Sequence, residues 1–141
     1  MELFGQHAAR LQEPGYRDLV ATCGIIVVEG FNDVIGLDNI GVPAVAMMSN
    51  RMTEMQGDKI VRWAKQLANG RVTLMFDCEP SGIDGAKEAL WFFAQRQLDV
   101  RLAWTPWMHS GAFVGRQPES VTREEWDRVI RPVIQRAANG K

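Results

Sequence analysis

Two acidic residues, Asp77 and Glu79, are separated by a single residue at the end of an apolar segment that has the composition of a β-strand. Residues i and i+2 of a strand point to the same side, so we expect both carboxylates to face the same space. Like charges at that spacing repel each other unless water or a cation lies between them. A hard cation such as Mg²⁺ takes oxygen ligands and retains several waters. The spacing therefore predicts a metal site at this turn, and an exposed acidic turn without a metal is the alternative.

One further acid, Glu29, follows an apolar run in the same way, and two more, Asp33 and Asp84, lie a few residues beyond such runs. Glu29 ends the first run, and ligands of open α/β sheets bind beyond the carboxyl ends of the strands. We expect the first and third strands to be neighbours, which would place Glu29 in one crevice with Asp77 and Glu79. Asp33 and Asp84 fall in the first turns of the following helices, where the helix dipole alone accounts for an acid.

The segments that must position these acids alternate between strand-like and helical patterns. Four apolar runs indicate strands, and they begin at Ile25, Val42, Val72 and Val100. Most of these runs are continuous rather than alternating, which indicates a parallel sheet covered on both faces. The order of the elements predicts an α/β fold with a four-stranded, mostly parallel sheet flanked by helices.

Helical spacing of apolar residues predicts the intervening helices at about residues 31–41, 54–70 and 83–97. Thr122 and Glu125 form a capping box that predicts a last helix. A short helix is also expected at about residues 2–12, followed by a turn at Pro14-Gly15.

Length and composition exclude several classes of protein. With 141 residues, the chain is expected to form one domain with a real core. A formal net charge of −1 argues against a strongly basic nucleic-acid clamp, although a local basic patch stays open. Cys23 and Cys78 lack CxxC spacing, which favours free thiols in a reducing compartment. No targeting pattern or apolar run of roughly 18 residues is present, so we expect a cytoplasmic protein with no membrane partner.

The stretches "VEGFNDV" and "FDCEPSGIDGA" together resemble the Toprim domain. This domain is shared by bacterial DnaG-type primases, type IA and type II topoisomerases, OLD-family nucleases and RecR proteins. The resemblance spans about residues 25–125 and is closest to the catalytic-core Toprim domain of the primases. It implies a Rossmann-like Toprim domain over residues 25–138, preceded by an N-terminal extension at residues 1–24.

The resemblance also implies roles for the acidic residues. Asp77 and Glu79 would ligate Mg²⁺, with Mn²⁺ as a substitute, and Glu29 would be the general acid/base or would orient the metal. These three residues are the expected catalytic group. The supporting residues would be Asp33, Gly30, Gly82 at the tight turn, and Asp84. The candidate nucleic-acid contacts are Arg51 and Lys87.

The chain departs from the primase pattern at two places. Glu79 replaces the usual second aspartate and is one methylene longer. In the loop "GRQPES", Gln117 replaces an acid and Glu119 stands where the other acid would be. A neutral amide binds Mg²⁺ more weakly than a carboxylate, which disfavours a second metal site.

The implied function is nucleotidyl transfer or phosphodiester chemistry on nucleic acid or a nucleoside triphosphate. We expect an isolated primase-like domain or a small stand-alone Toprim protein, with weak or no activity in isolation and other primase or replication domains as partners. A small Toprim nuclease is one alternative. A module that binds nucleic acid or protein without catalysis is the other.

Five tryptophans are present, which is a high number for this length. Trp63, Trp91 and Trp126 fall on predicted inner faces of helices or at their borders, so we expect them in the core. Trp104 and Trp107 flank a Thr-Pro turn near the expected site. These two could stack on bases of single-stranded nucleic acid or pack against a partner subdomain.

Overall fold

A computed structural model describes residues 14–46 and 54–138 of the chain. Its four strands are β1 (Ile25–Val28), β2 (Ala44–Ala46), β3 (Arg71–Leu74) and β4 (Asp99–Leu102). They form one sheet in the order β2-β1-β3-β4, and every neighbouring pair is parallel. The predicted α/β fold with a four-stranded parallel sheet is therefore confirmed, and β1 and β3 are neighbours as expected.

The helices before and between the strands are α1 (Pro14–Cys23), α2 (Phe31–Asn39), α3 (Glu54–Leu67) and α4 (Pro80–Gln95). Two short 3₁₀ turns follow β4, at Met108–Gly111 and Pro118–Ser120. The chain continues through α5 (Arg123–Glu125), a π-helical segment (Trp126–Ile130) and α6 (Arg131–Ala138). None of the described helices combines the length and the apolar character needed to cross a membrane.

The sheet separates two hydrophobic clusters because successive side chains of a strand point to opposite faces. On β1, Ile26 and Val28 pack in one cluster, and Ile25 and Val27 pack in the other. The first cluster includes residues of α1, α2 and the C-terminal helical segments, and the second includes residues of α3 and α4. All four β1 residues are buried, which explains why the strand has a continuous apolar sequence.

Several predicted boundaries differ from the structure. The helix expected at residues 2–12 lies outside the described residues, and Pro14-Gly15 begins α1 instead of forming a turn. Proline is tolerated in the first turn of a helix because its missing N–H would have no partner there. Leu19, Val20 and Cys23 of α1 are buried, so this helix contributes to the core.

Helix α4 begins three residues earlier than the apolar spacing predicted. Glu79 at its N-cap has an extended backbone, with φ −151° and ψ 167°, and Pro80 occupies the first turn. The predicted capping box of the last helix is confirmed: the Thr122 hydroxyl accepts a hydrogen bond from the Glu125 N–H (3.1 Å), and the Thr122 N–H donates to Glu125 Oε1 (3.0 Å).

Of the three tryptophans predicted in the core, two are buried or partly buried and one is exposed. Trp126 is 1% exposed and Trp63 is partly buried against the second cluster. Trp91 is 66% exposed, so its predicted place in the core is wrong. Its position on α4 lies beside the buried stripe that includes Ala89 and Phe93, and it therefore points to solvent.

Candidate functional site

The carboxyl ends of β1 and β3 bring acidic residues together at one edge of the sheet. Val27 pairs with Leu74 in the parallel register, so the chain leaves both strands at the same level. The Asp77 N–H donates a hydrogen bond of 2.9 Å to Glu29 Oε1. The Glu29 carboxylate thus contacts the backbone of Asp77, which is 48 positions away in the sequence.

The turn between β3 and α4 holds Asp77 and Glu79 in a compact geometry. The Glu79 N–H donates to the Asp77 carbonyl at 2.8 Å, and the Ser81 hydroxyl donates to Glu79 Oε1 at 3.0 Å. Gly82 packs directly on this turn, because a Cβ at its position would lie 2.0 Å from the Asp77 carbonyl oxygen. The close approach explains physically why a residue without a side chain occupies this position.

Asp33 lies in the first turn of α2, where it is buried. Its Oδ1 accepts a hydrogen bond of 3.2 Å from the Glu119 N–H, and its own N–H donates to the Gly30 carbonyl at 3.2 Å. Gly30 is the extended N-cap of α2, with φ −137° and ψ 160°. Close packing also joins α2 to this loop, since a Cβ at Gly36 would lie 2.7 Å from Glu119 Cα.

The five carboxylates of this region are called the acidic edge below: Glu29, Asp33, Asp77, Glu79 and Glu119. Partial desolvation is the largest cause that raises the pKa of the Glu29 carboxyl, and the charges of Asp77 and Glu79 raise it further. The same causes raise the pKa of Asp77, through the charges of Glu79 and Glu119. These groups therefore repel one another across the edge of the sheet.

Asp33 shows the largest of these effects. Desolvation, followed by the charges of Asp77 and Glu119, raises its pKa from 3.8 to about 6, although the Glu119 N–H acts in the opposite direction. A helix dipole favours an ionised acid in the first turn. Burial and negative neighbours outweigh the dipole here, so the simple interpretation of Asp33 as a helix-dipole acid does not describe its environment.

A clamp around Arg116 fixes the loop that contains Glu119. The guanidinium binds the Glu125 carboxylate at two points, 2.6 and 2.8 Å, and also donates to the Ser120 carbonyl at 2.6 Å. Arg116 hydrogen bonds lower the pKa of Glu125 to about 2. Backbone bonds from the Cys78 N–H to the Arg116 carbonyl (2.9 Å) and from the Gly115 N–H to the Cys78 carbonyl (2.8 Å) join this loop to the acidic turn.

Sequence reasoning did not find the Arg116 clamp or the contact between Glu119 and Asp33. The capping box was the one available signal, because it identified Glu125, which is the acid that Arg116 binds. The pairing itself joins positions nine residues apart through a loop whose path the sequence pattern does not define.

The sequence allows Trp104 either to stack on bases or to pack against protein. In the structure Trp104 is 3% exposed, and its indole N–H donates to the Phe76 carbonyl at 2.5 Å, so its ring packs inside the fold.

Two of the remaining predicted residues lie on α4, after the acidic turn. Asp84 and Lys87 are exposed on α4, and within the described ranges neither makes an ion pair. Arg51 lies outside the described residues. Cys23 and Cys78 are both free and buried.

The acidic edge has the donor chemistry of a magnesium site without a preformed cage. Within the described parts of the chain, no three His, Cys, Asp or Glu side chains converge as a metal-binding group. Structural zinc sites use such closed groups, whereas Mg²⁺ is commonly held by one or two carboxylates and completes its shell with water and phosphate oxygens. Two carboxylates at one turn, surrounded by further negative charge, fit the second pattern.

Comparison with known proteins identifies a family and similar solved structures. The family model described as Toprim-like matches residues 26–110, which is more than half of the chain. The fold is similar to the crystal structure of the Aquifex aeolicus primase, comprising its zinc binding and RNA polymerase domains, with a TM-score of 0.60 and 20% sequence identity. The similarity covers 99% of this chain and 29% of that primase chain. A search of curated proteins found no significant match.

Proposed function

Because this chain belongs to the Toprim-like family, we propose that its acidic edge supports Mg²⁺-dependent nucleotidyl transfer or phosphodiester chemistry on nucleic acid. The observation that carries the proposal is the hydrogen bond between Glu29 and the Asp77 amide. It joins the two strand ends whose acids would have to act together. The similar primase structure supports the fold of this arrangement, and the particular reaction is our proposal.

Asp77 and Glu79 would hold Mg²⁺, with Mn²⁺ as a substitute. When bound, the ion would neutralise charge on the phosphate oxygens, which is the main requirement of phosphoryl transfer. The hydrogen bond from Ser81 orients the Glu79 carboxylate, and the Gly82 contact fixes the backbone beneath Asp77. These contacts limit the positions that the two carboxylates can take.

Glu29 is the residue that we propose to move the proton. Its Oε1 accepts the Asp77 N–H, which leaves Oε2 to receive a proton from an attacking hydroxyl or water. Desolvation and the charges of Asp77 and Glu79 raise its pKa, and a carboxylate with a raised pKa is a better base near neutral pH. Asp33 would support the site from beneath, through its contact with the Glu119 loop.

The reaction class is tested with two substrates in parallel. The full chain is incubated with a labelled single-stranded oligonucleotide, and separately with a template and nucleoside triphosphates, in Mg²⁺, in Mn²⁺ and in EDTA. Cleavage identifies the nuclease, and extension identifies the nucleotidyltransferase. In either case, we expect Glu29→Gln to lower the metal-dependent rate by about 10²-fold or more, as loss of a general base does.

Glu88→Gln is the matched control, because Glu88 is an exposed acid on α4 outside the acidic edge. An equal rate for Glu29→Gln and the control would contradict the role of Glu29. A second candidate function is a binding module without catalysis, favoured by Gln117 and Glu79, which depart from the acids of the primase pattern. The absence of both products in Mg²⁺ and Mn²⁺ would support that candidate.

The wider setting is also a proposal. The chain spans less than a third of the similar primase chain, so weak activity in isolation and partnership with other primase or replication domains would be consistent with its size. We propose nucleic acid, a nucleoside triphosphate or both as the molecules bound, in the cytoplasm.

A further inference from the structure

An apolar groove lies between α4 and the segment that follows β4. Its cavity has a volume of about 220 Å³. One wall is a single face of α4 with helical spacing, formed by Ile83, Ala86, Lys87 and Leu90. The other wall is formed by Leu102, Thr105 and Trp107. We refer to this cavity as the Trp107 groove.

The groove lies on the side of the sheet order where β4 follows β3, and it begins at the same end of the strands as the acidic edge. β3 and β4 are parallel neighbours, and Leu74 pairs with Leu102, so both strands end at the same edge of the sheet. The chain after β3 forms the acidic turn, and the chain after β4 leads to Trp107. Helix α4 begins at Pro80, directly after Glu79, and its next turns line the groove. A strand of nucleic acid at the acidic edge would therefore have the groove beside it.

Trp107 combines high exposure with a defined backbone. Trp107 is 75% exposed to solvent, although tryptophan side chains are usually well buried. The Thr105 hydroxyl accepts hydrogen bonds from the Trp107 N–H (3.2 Å) and the Met108 N–H (3.1 Å), which holds the turn below the indole. An exposed aromatic ring on a fixed turn is the arrangement that single-stranded nucleic acid uses for stacking.

We propose that the Trp107 groove binds one base of single-stranded nucleic acid, stacked on the Trp107 indole, while Lys87 contacts the adjacent phosphate. The inference rests on the proposed function, and it names the substrate class of that site as single-stranded nucleic acid. Lys87 is the one ionisable residue of the lining, so the groove offers an apolar wall and a single positive charge. That pairing is complementary to a base joined to a phosphate.

The size of the groove also favours a base over a larger ligand. Sites for drug-sized ligands have volumes of about 300–1,000 Å³, and this groove is smaller. A docked protein helix or strand would need a longer apolar surface than a helix face of about two turns.

The test is a fluorescence anisotropy titration of a labelled oligothymidylate with the full chain, in EDTA. We expect Trp107→Ala to weaken binding by about 5- to 150-fold, which is the effect of one stacked base. Trp107→Phe retains a ring and is expected to recover most of the affinity. Lys87→Ala is expected to weaken binding and to lower the dependence on salt by about one phosphate contact.

Trp91→Ala is the matched control. Trp91 is also an exposed tryptophan, but it lies on α4 and does not line the groove. Its affinity is expected to stay within twofold of the unaltered chain. The proposal is overturned if Trp107→Ala binds as tightly as this control, or if the unaltered chain does not bind the oligonucleotide. If Trp107→Ala changes the oligomeric state in analytical ultracentrifugation but not the affinity for the oligonucleotide, the groove is a protein–protein interface and the proposal is wrong.

Failure of this inference and failure of the proposed function are distinguishable. Glu88→Gln in the same EDTA titration should keep the affinity for the oligonucleotide, since Glu88 belongs neither to the groove lining nor to the acidic edge. The catalytic assays in metal test the acidic edge independently of Trp107. Loss of chemistry with normal stacking would reject the proposed reaction alone, and normal chemistry without stacking would reject the groove alone.

Discussion

At the scale of single residues, the acidic edge shows how the environment decides the state of a carboxylate. Asp33 is buried, accepts one backbone N–H and faces the charges of Asp77 and Glu119. Its pKa of about 6 means that the folded chain binds a proton at this position more tightly than the unfolded chain does. The ionised side chain therefore lowers the stability of the fold at neutral pH, which is the usual consequence of assembling a charged site.

The first prediction concerns Asp33→Asn. Because the pKa rises from 3.8 unfolded to about 6 folded, the unaltered chain loses stability as pH increases through this interval. Asparagine keeps an oxygen for the Glu119 N–H and removes the charge. We expect the variant to have the higher unfolding free energy at pH 7, by up to about 3 kcal/mol, and the advantage to disappear near pH 4.

Urea unfolding in EDTA across this pH range measures the effect. Asp84→Asn is the control, because Asp84 is an exposed acid near the start of α4, and its change is expected to stay within about 0.5 kcal/mol. An advantage of Asp33→Asn that is independent of pH would show that charge is not its cause.

At the scale of elements, two contacts hold the acidic turn in place. Gly82 lets the first turn of α4 pack against the Asp77 carbonyl. The loop at residues 115–120 is bonded to the same turn through Cys78 and is closed by the Arg116–Glu125 pair. The position of the carboxylates therefore depends on a helix start and on a loop that contributes only Glu119 to the acidic edge.

The second prediction is that Gly82→Ala disrupts the acidic turn. Its Cβ would lie 2.0 Å from the Asp77 carbonyl oxygen, so the backbone must move. We expect a loss of about 1–3 kcal/mol in unfolding free energy and weaker Mg²⁺ binding. Gly85→Ala is the control in the same helix, since a Cβ there meets the Phe76 ring at an ordinary 3.4 Å. Equal unfolding free energies for the two variants would contradict the account of Gly82.

The third prediction is that Arg116→Ala releases the Glu119 loop. It removes a two-point bond to Glu125 in which both side chains are less than a third exposed. We expect a loss of about 1–3 kcal/mol at neutral pH, as for other charge-assisted hydrogen bonds. The pKa of Glu125 is lowered in the fold, so this stability is present above its unfolded pKa and is lost as pH falls toward 2.

Thermal or urea unfolding at pH 7 and pH 3 checks both parts of this prediction. Arg128→Ala is the control, because its ion pair with Glu124 spans 3.7 Å between largely exposed groups. Such pairs contribute about 0–1 kcal/mol. An Arg116→Ala effect no larger than the control would show that the clamp does not hold the loop.

At the scale of the whole molecule, the sequence was sufficient to predict the parallel α/β sheet and the proximity of Glu29 to Asp77. Continuous apolar runs at Ile25 and Val72 predicted buried parallel strands, and the sheet order confirms the expectation that these two strands are neighbours. The contact between Glu29 and the Asp77 amide agrees with that expectation. Helix α1 was missed because Pro14-Gly15 has the composition of a turn, whereas proline also begins helices.

The features that could not be predicted depend on tertiary contacts. Burial of Asp33, the Arg116 clamp and the outward position of Trp91 each depend on which element packs against which face. Helix α4 begins where Gly82 packs closely against Asp77, and the spacing of apolar residues in the sequence does not predict this contact. The roles of Glu29, Asp77, Glu79, Gly30 and Asp84 in function stay predictions, and Arg51 lies outside the described residues.

The central claim is that the acidic edge holds a divalent cation between the ends of β1 and β3. Titration of the ¹⁵N-labelled full chain with MgCl₂, followed by NMR, tests it most directly, because the Asp77 amide is bonded to Glu29 and reports on both. We predict saturable shifts centred on the amides of Asp77, Glu79 and Glu29, which Asp77→Asn abolishes and Glu88→Gln leaves intact. Unchanged amides at these three positions in several millimolar Mg²⁺ would contradict the claim.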